Sequence, residues 1–399
     1  MILSTSLSSR TANTFASPVV EARRWLQEID HETDLTLINV SQAAPTEPPV
    51  KDLQDAIVFA AQSNPAAHLY GPVLGLPELR SEVAKQWGSL YDGEINSEQV
   101  AITAGCNQAF CAAINLLTNQ GDSVILPEPW YFNHVMWLNM QGIEVIELQC
   151  GQNLLPDPDK CADLLRDNTR AITLVTPNNP TGVEYPIELI QAFYELAKSH
   201  EIALIVDETY RDFRAEVNPP HRLFGDPDWP NTLLHLYSFS KAYRLTGHRV
   251  GALIGAEERL KEAEKFLDTV TICPNQLAQH AALSGLRNLG GWLQGERDKL
   301  RHRQAQLEEK FAHPLMADWE IKGIGPYFAY VEHPFDLTSI DLAQSLLAKK
   351  NILVLPGSMF RPERNHFGER ELRIACANLN QALIQELTNR LIDYTHDQY

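Results

Sequence analysis

The chain has 399 residues, which as a prior suggests about two to three domains and leaves room for a core that needs no disulfide or metal to fold. Its 33 Lys and Arg stand against 51 Asp and Glu, a formal charge of −18. This argues against nucleic acid or an anionic membrane surface as the main partner, since both require a basic footprint. With 44% apolar and 21% charged residues the composition is globular rather than disordered, and it contains no run of about 18 apolar residues that would span a bilayer.

In chain order, residues 1–20 carry Arg10, no acid and many Ser and Thr. This faintly resembles a transit peptide but reads chiefly as an ordinary N-terminal arm. Asn107–Asn119 has apolar residues at 109, 110, 113, 114, 116 and 117, near the helical period. The short β-branched runs Ser123–Leu126, Ala171–Val175, Ile202–Val206 and Val250–Ile254 fit buried strands of a mainly parallel sheet. Pro186–Ser199 opens with a proline suited to a first helical turn and continues with an apolar stripe. Strands alternating with helices predict an α/β fold with right-handed crossovers. The last hundred residues change pattern. Gly291–Phe311 reads as a long charged helix, Tyr327–Val331, Ile352–Leu355 and Leu372–Ala375 as strands, and Leu383–Asp393 as a terminal helix. That α+β pattern predicts a second, smaller domain, with a boundary near residue 290. The cysteines at 106, 111, 150, 161, 273 and 376 form no CxxC pair and read as reduced core residues of a cytoplasmic protein; no metal is expected.

Three segments at predicted strand ends carry candidate chemistry, because open α/β sheets bind ligands there. Thr176–Gly182 (TPNNPTG) is a turn-forming cluster. Asp207 and Glu208 follow the strand 202–206, where Asp could equally be a helix N-cap. Ser238, Ser240, Lys241 and Arg249 bring two hydroxyls and two cations together. That set suits a phosphate dianion, and a lysine among small hydroxyl residues can act as a Schiff-base nucleophile. Ser238-x-x-Lys241 also matches a serine-hydrolase pattern, but the K-T-G and S-D-N elements of that family do not occur. The dinucleotide, P-loop, zincin and nucleophile-elbow motifs are likewise missing from the sequence.

Taken together, NNPTG at 178–182, DETY at 207–210 and S-x-S-K-x(7)-R-x-G at 238–251 resemble the fold type I pyridoxal-phosphate aminotransferases, class I/II, of the aspartate-aminotransferase kind. LYGPVLGLPELR at 69–80, TAGCNQA at 103–109, PEPWYFNH at 127–134 and LRIACA at 372–377 add to the match, which runs from about residue 30 to the end. The resemblance implies a large α/β domain whose mainly parallel central sheet is flanked by helices, plus a smaller α+β domain. The divisions are 1–48 (N-terminal arm and part of the small domain), 49–290 (large, cofactor-binding) and 291–399 (small, C-terminal).

It further implies the cofactor pyridoxal 5′-phosphate (PLP), held by Lys241 as a Schiff base, and ping-pong transfer of an amino group from an L-amino acid to a 2-oxo acid. Lys241 would then be the proton-transfer base. Asp207 would pair with the pyridinium nitrogen, and Tyr210 and Asn179 would bond the ring oxygen. Ser238, Ser240, Arg249 and the amides of Gly105, Cys106 and Asn107 would hold the phosphate. Tyr131 would stack on the ring, with Trp130 as its competitor. Arg373 would grip the substrate α-carboxylate, near Asn179 and a backbone contact at Ala43. Tyr70 resembles a tyrosine that reaches the phosphate of a neighbouring subunit, which implies a homodimer with shared sites. Ala43 stands where relatives often have glycine, and Arg244 and His248 where smaller or aromatic residues are common. Arg211, Arg244 and Arg297 are candidates for a second carboxylate contact; Tyr131, Trp137 and Phe328 would suit aromatic substrates. The same site residues would also serve a PLP-dependent lyase, either a carbon–sulfur β-lyase or one resembling aminocyclopropane-carboxylate synthase. A DNA-binding regulator built on the fold would need an added basic domain, for which the acidic chain has little room.

Overall fold

The β-branched runs form the middle of a seven-stranded sheet, and three further strands complete it. A computed structural model describes residues 8–30, 32–216, 218–362, 366 and 368–398; residues 1–7 of the N-terminal stretch lie outside the described residues. In chain order the strands are β1 (Val100–Thr103), β2 (Ser123–Glu128), β3 (Glu144–Gln149), β4 (Thr169–Val175), β5 (Ala203–Asp207), β6 (Leu233–Ser238) and β7 (Gly251–Ile254). Across the sheet they run β1-β7-β6-β5-β4-β2-β3. The pairs β2–β3, β2–β4, β4–β5 and β5–β6 are parallel, whereas β7 is antiparallel to both neighbours. The mainly parallel sheet expected from the sequence is therefore present, with one reversed strand. Strands β1, β2, β5, β6 and β7 are buried along their whole length, as a sheet covered by helices on both faces requires.

The helix predicted over 107–119 spans Cys106–Leu117. The one predicted over 186–199 spans Ile187–Ser199, with Pro186 at the N-cap rather than in the first turn. Apolar residues of these helices pack on opposite faces of the sheet, in two separate buried clusters.

A third cluster joins both ends of the chain. Ala22, Trp25, Ile38 and Val40 pack with Met316, Trp319, Tyr330, Leu346, Ile374 and Tyr394. Its sheet is antiparallel, in the order β10-β11-β9-β8, where β8 is Glu320–Ile324, β9 Phe328–Glu332, β10 Leu355–Pro356 and β11 Glu371–Ala375. The run Ile352–Leu355, read as one strand, is divided. Ile352–Leu353 pairs in parallel with Ile38–Asn39, and Leu355–Pro356 joins β11. All four residues are buried, so their hydrophobicity alone could not reveal the break. The helices Gly290–Phe311 and Gln381–His396 match the two predicted in the C-terminal region. Of the cysteines, all free, only Cys106, Cys161 and Cys376 are buried; Cys111, Cys150 and Cys273 are half-buried. The expectation of six core cysteines is corrected accordingly. No helix among the described residues is long and apolar enough to cross a membrane.

Candidate active site

A cavity of about 440 Å³ opens at the carboxyl ends of β4, β5 and β6, between the sheet and the chain-end cluster. Its walls include Ala43, Cys106, Asn107, Tyr131, Asn179, Asp207, Tyr210, Ser238, Ser240, Lys241, Arg249 and Arg373. Each of these was singled out in the sequence. Two other candidates do not line it. Gly105 is the N-cap residue of the helix Cys106–Leu117, and Tyr70 is 81% exposed.

Local chemistry explains how each segment delivers its side chain. In Thr176–Gly182, Asn178 Oδ1 accepts from the Thr181 amide (3.1 Å) and hydroxyl (2.9 Å), while the Gly182 amide donates to Asn178 O (2.8 Å). Asn178 thus builds the turn and Asn179 is left to face the cavity. Gly182 has φ +78 and lies so close to Phe328 and Gly325 that a Cβ would collide with their backbone. At the end of β5, Asp207 Oδ1 accepts the Thr209 amide at 3.0 Å, and Oδ2 lies 3.4 Å from His134 Nε2. Burial alone would raise the Asp207 carboxyl, but His134 and Thr209 outweigh it and hold the group below its usual range. His134 was quoted only within a longer match; its ring, stacked on Phe110 at 3.8 Å, is a partner of Asp207 that residue type alone did not reveal.

At the other end of the cavity, Ser238 caps the short helix Phe239–Ala242, its hydroxyl accepting the Ser240 amide at 3.3 Å. Lys241 sits on that turn, and Nζ donates to Ala43 O at 2.7 Å. Burial, reinforced by the like charges of Arg249 and Arg373, lowers Lys241 from 10.5 to about 8. Arg249 has the left-handed φ of +52, and Nη1 donates to Ser240 Oγ (3.2 Å) and Thr246 O (3.1 Å). Its guanidinium lies against Gly105, whose φ is +86 and where any Cβ would strike Nη2. Two hydroxyls, an arginine and a helix N-terminus therefore converge on one anion-sized space.

Arg373, on β11, reaches the cavity from the opposite side. It is 3% exposed, lies about equally far from the Phe328 and Phe360 rings (4.8 and 4.9 Å), and donates to Asn179 Oδ1 at 3.0 Å and to Ser41 O. Its Nε has no partner among the described residues, and burial lowers the group from 12.5 to about 10. A buried cation with a free N–H calls for an anion. The Tyr131 hydroxyl donates to Asn107 Oδ1 (3.3 Å) and accepts from Asn133 Nδ2 (2.8 Å); between Tyr131 and Trp130, it is Tyr131 that lines the cavity.

None of Arg211, Arg244 and Arg297 lines the cavity. Arg244 is tied to Glu47 and Glu296, and Arg211 lies 3.8 Å from the Trp87 ring. Arg23 lines it instead, together with Ser17, Val19, Val20, Gln42 and Thr209; the sequence had named none of them as a site residue, and Thr209 stood only within the DETY run. Glu208 turns into the core, where His235 Nε2 lies 2.9 Å from Oε2, the Tyr91 hydroxyl also donates to Oε2, and His221 Nε2 lies 3.8 Å from Oε1. This trio resembles a metal site, but His221 Nδ1 accepts the Leu223 amide. That leaves the proton of the neutral ring on Nε2, so the lone pair facing Glu208 is occupied.

The family described as aminotransferase class I and II matches residues 29–391. The chain is 28% identical to the aromatic aminotransferase ISS1 of Arabidopsis thaliana, over 97% of this chain and 98% of that one. It is 24% identical to the aspartate aminotransferase of Sulfolobus acidocaldarius, over 92% of each. Among solved structures, the aspartate aminotransferase of Thermus thermophilus with maleate has the same fold, with TM-score 0.86 and 24% identity over 98% of this chain and 99% of that one.

Proposed function

The chain belongs to the class I and II aminotransferases and is itself a PLP-dependent aminotransferase, and we propose that the cavity at the strand ends is its active site. The single observation that carries this reading is Lys241. Its ammonium is lowered to about 8 and stands in the same cavity as an anion cradle, an ionised Asp207 and an incompletely paired Arg373.

The residues fit pyridoxal phosphate. Ser238, Ser240, Arg249 and the amides of Gly105, Cys106 and Asn107 match a phosphate, while Asp207, braced by His134 and Thr209, matches a protonated ring nitrogen. Tyr210 and Asn179 suit a ring oxygen, and Tyr131 a ring face. When bound, the group supplies an electron sink for the pair left at the substrate Cα and carries the amino group between the two half-reactions. Lys241 Nζ, lowered to about 8 so that its neutral form is within reach near physiological pH, takes the proton from the substrate Cα. Arg373 and Asn179 fix the α-carboxylate so that the Cα–H faces Nζ, and the Ala43 carbonyl orients the amine.

The substrates are an L-amino acid and a 2-oxo acid. The relatives' aminotransferase names do not favour the lyase alternative. Exposed Tyr70, with Phe59 and Leu69 also exposed, supports a homodimer with shared sites. The three buried clusters support a division into 1–48, 49–290 and 291–399. The free cysteines support a cytoplasmic location. The reaction is tested by adding an L-amino acid to the loaded enzyme and following the cofactor absorbance, which changes and is reversed by a 2-oxo acid. Lys241→Ala should lower turnover by roughly 10²–10⁴-fold; full turnover in that variant would refute the assignment.

A further inference from the structure

Arg244 has no task in the scheme above, yet the backbone is strained to place it. Its φ is +56, in the left-handed region that suits glycine and opposes any residue with a Cβ. The side chain joins distant parts of the chain. Nε donates to Glu296 Oε2 at 3.0 Å, Nη2 also reaches that oxygen, and Nη1 pairs with Glu47. The guanidinium lies 5.4 Å from the Trp292 ring. Arg244 and Glu296 are largely shielded from solvent, so that end of the network is fixed. The Glu47 side chain is 61% exposed, so that end can release.

Glu47 ends a segment whose carbonyls touch two cavity cations. Ser41 O accepts from Arg373, and Ala43 O accepts from Lys241 Nζ at 2.7 Å. Asn378 holds the middle, accepting the Ala44 amide at 3.1 Å and donating to Gln42 O. No backbone hydrogen bond among the described residues joins Thr46 or Glu47 to the rest of the fold. Pro45, Pro48 and Pro49 fix their own φ and keep Ala44 and Glu47 from turning helical. The segment is therefore stiff, and a hold on Glu47 is felt at Ala43. Arg244 follows Lys241 by three residues, so one turn of chain grips the segment at both places. Between turn and segment lies a second cavity of about 40 Å³, with Lys241 and Tyr327 in its wall.

We infer that Arg244 is a positioning residue: through Glu47 it holds residues 41–47 so that their carbonyls keep Arg373 and Lys241 aimed at the α-carboxylate and amine of the substrate. This rests on the aminotransferase reading of the cavity and adds a residue that acts on it from outside. The ion pairs with Glu47 and Glu296 offset the strain at Arg244. Without them the segment keeps its Asn378 bonds but loses its far anchor.

The test uses the full-length chain with Glu47→Gln and Arg244→Gly; glycine suits the left-handed backbone at 244, so the second variant keeps its fold. In the cofactor-loaded enzyme, KM should rise roughly 2–5-fold in either variant, with a smaller change in kcat. The factor should be the same for L-glutamate and L-phenylalanine, whose α-amino and α-carboxylate groups are alike. Arg244→Lys should recover part of the loss. Added KCl should raise the parent's KM more than the variants', since the pair is exposed at Glu47. Without any substrate, amide hydrogen exchange in residues 41–49 should quicken by a similar factor in both variants. A KM equal to the parent's, a fall in kcat as large as the rise in KM, or unchanged exchange overturns the inference. Should no L-amino acid turn over, the aminotransferase reading of the cavity fails instead, and the exchange comparison still decides the role of Arg244.

Discussion

Lys241 shows how one residue couples chemistry to stability. Its ammonium is shed at about pH 8 in the folded chain, against 10.5 unperturbed, because burial and then Arg249 and Arg373 oppose the charge. Between those values the unfolded chain holds a proton that the folded chain has lost, so the stability of the cofactor-free protein rises with pH across that window. Below about pH 8 the buried charge is a burden on the order of 3–4 kcal/mol. Lys241→Met should therefore melt at a higher temperature than the cofactor-free parent at pH 7, and the gap should narrow between pH 8 and 10.5. A gap constant with pH would contradict the shift. The cavity-lining residues legible in the sequence are those whose types are unusual together: Asn179, Asp207, Lys241, Arg249 and Arg373. Arg23 and His134 were not legible as site residues. One reaches the cavity only because a helix docks on a distant strand pair, and the other acts through a carboxylate 73 positions away.

At the scale of elements, the strands visible in the sequence were the continuous apolar ones. Strand β3 alternates between exposed and buried residues at the sheet edge, β6 carries His235 in its middle, and β1 is four residues long; none presents an uninterrupted hydrophobic run. The proposed phosphate cradle depends on an element junction that only glycine permits. Gly105 joins β1 to the helix Cys106–Leu117 at φ +86, with Arg249 filling the place of a side chain. Gly105→Ala must strain the backbone by about 1–3 kcal/mol and push Arg249 away. Cofactor affinity should fall at least about tenfold, read as cofactor lost on gel filtration; a variant that keeps its cofactor would show that the cradle yields. Gly251 is constrained in the same place, since a Cβ there would lie 2.7 Å from the Gly105 carbonyl carbon.

At the scale of the whole molecule, exposed Tyr70 gives a test of shared sites. Neither Tyr70→Ala nor Lys241→Ala homodimers should be active. Mixed after dissociation, they should form hybrids with one site that has both an intact lysine and an intact tyrosine, recovering roughly a quarter of parental activity by random pairing. No recovery would mean that each subunit works alone. The pattern change after residue 290 was visible in the sequence, and the return of residues 38–40 to that part of the chain followed from the family resemblance. The pairing of Ile38 with Ile352 joins positions too far apart in the chain for local periodicity to reveal. One bond across this arrangement has a reciprocal consequence. Lys241 Nζ rests on the carbonyl of Ala43, which belongs to the returning N-terminal segment, and it must let go when the cofactor claims the amine. Loading and the freedom of that segment are then two ends of one thermodynamic lever. Clamping residues 41–45 should then slow and weaken cofactor uptake, and a bound cofactor should in turn loosen that segment.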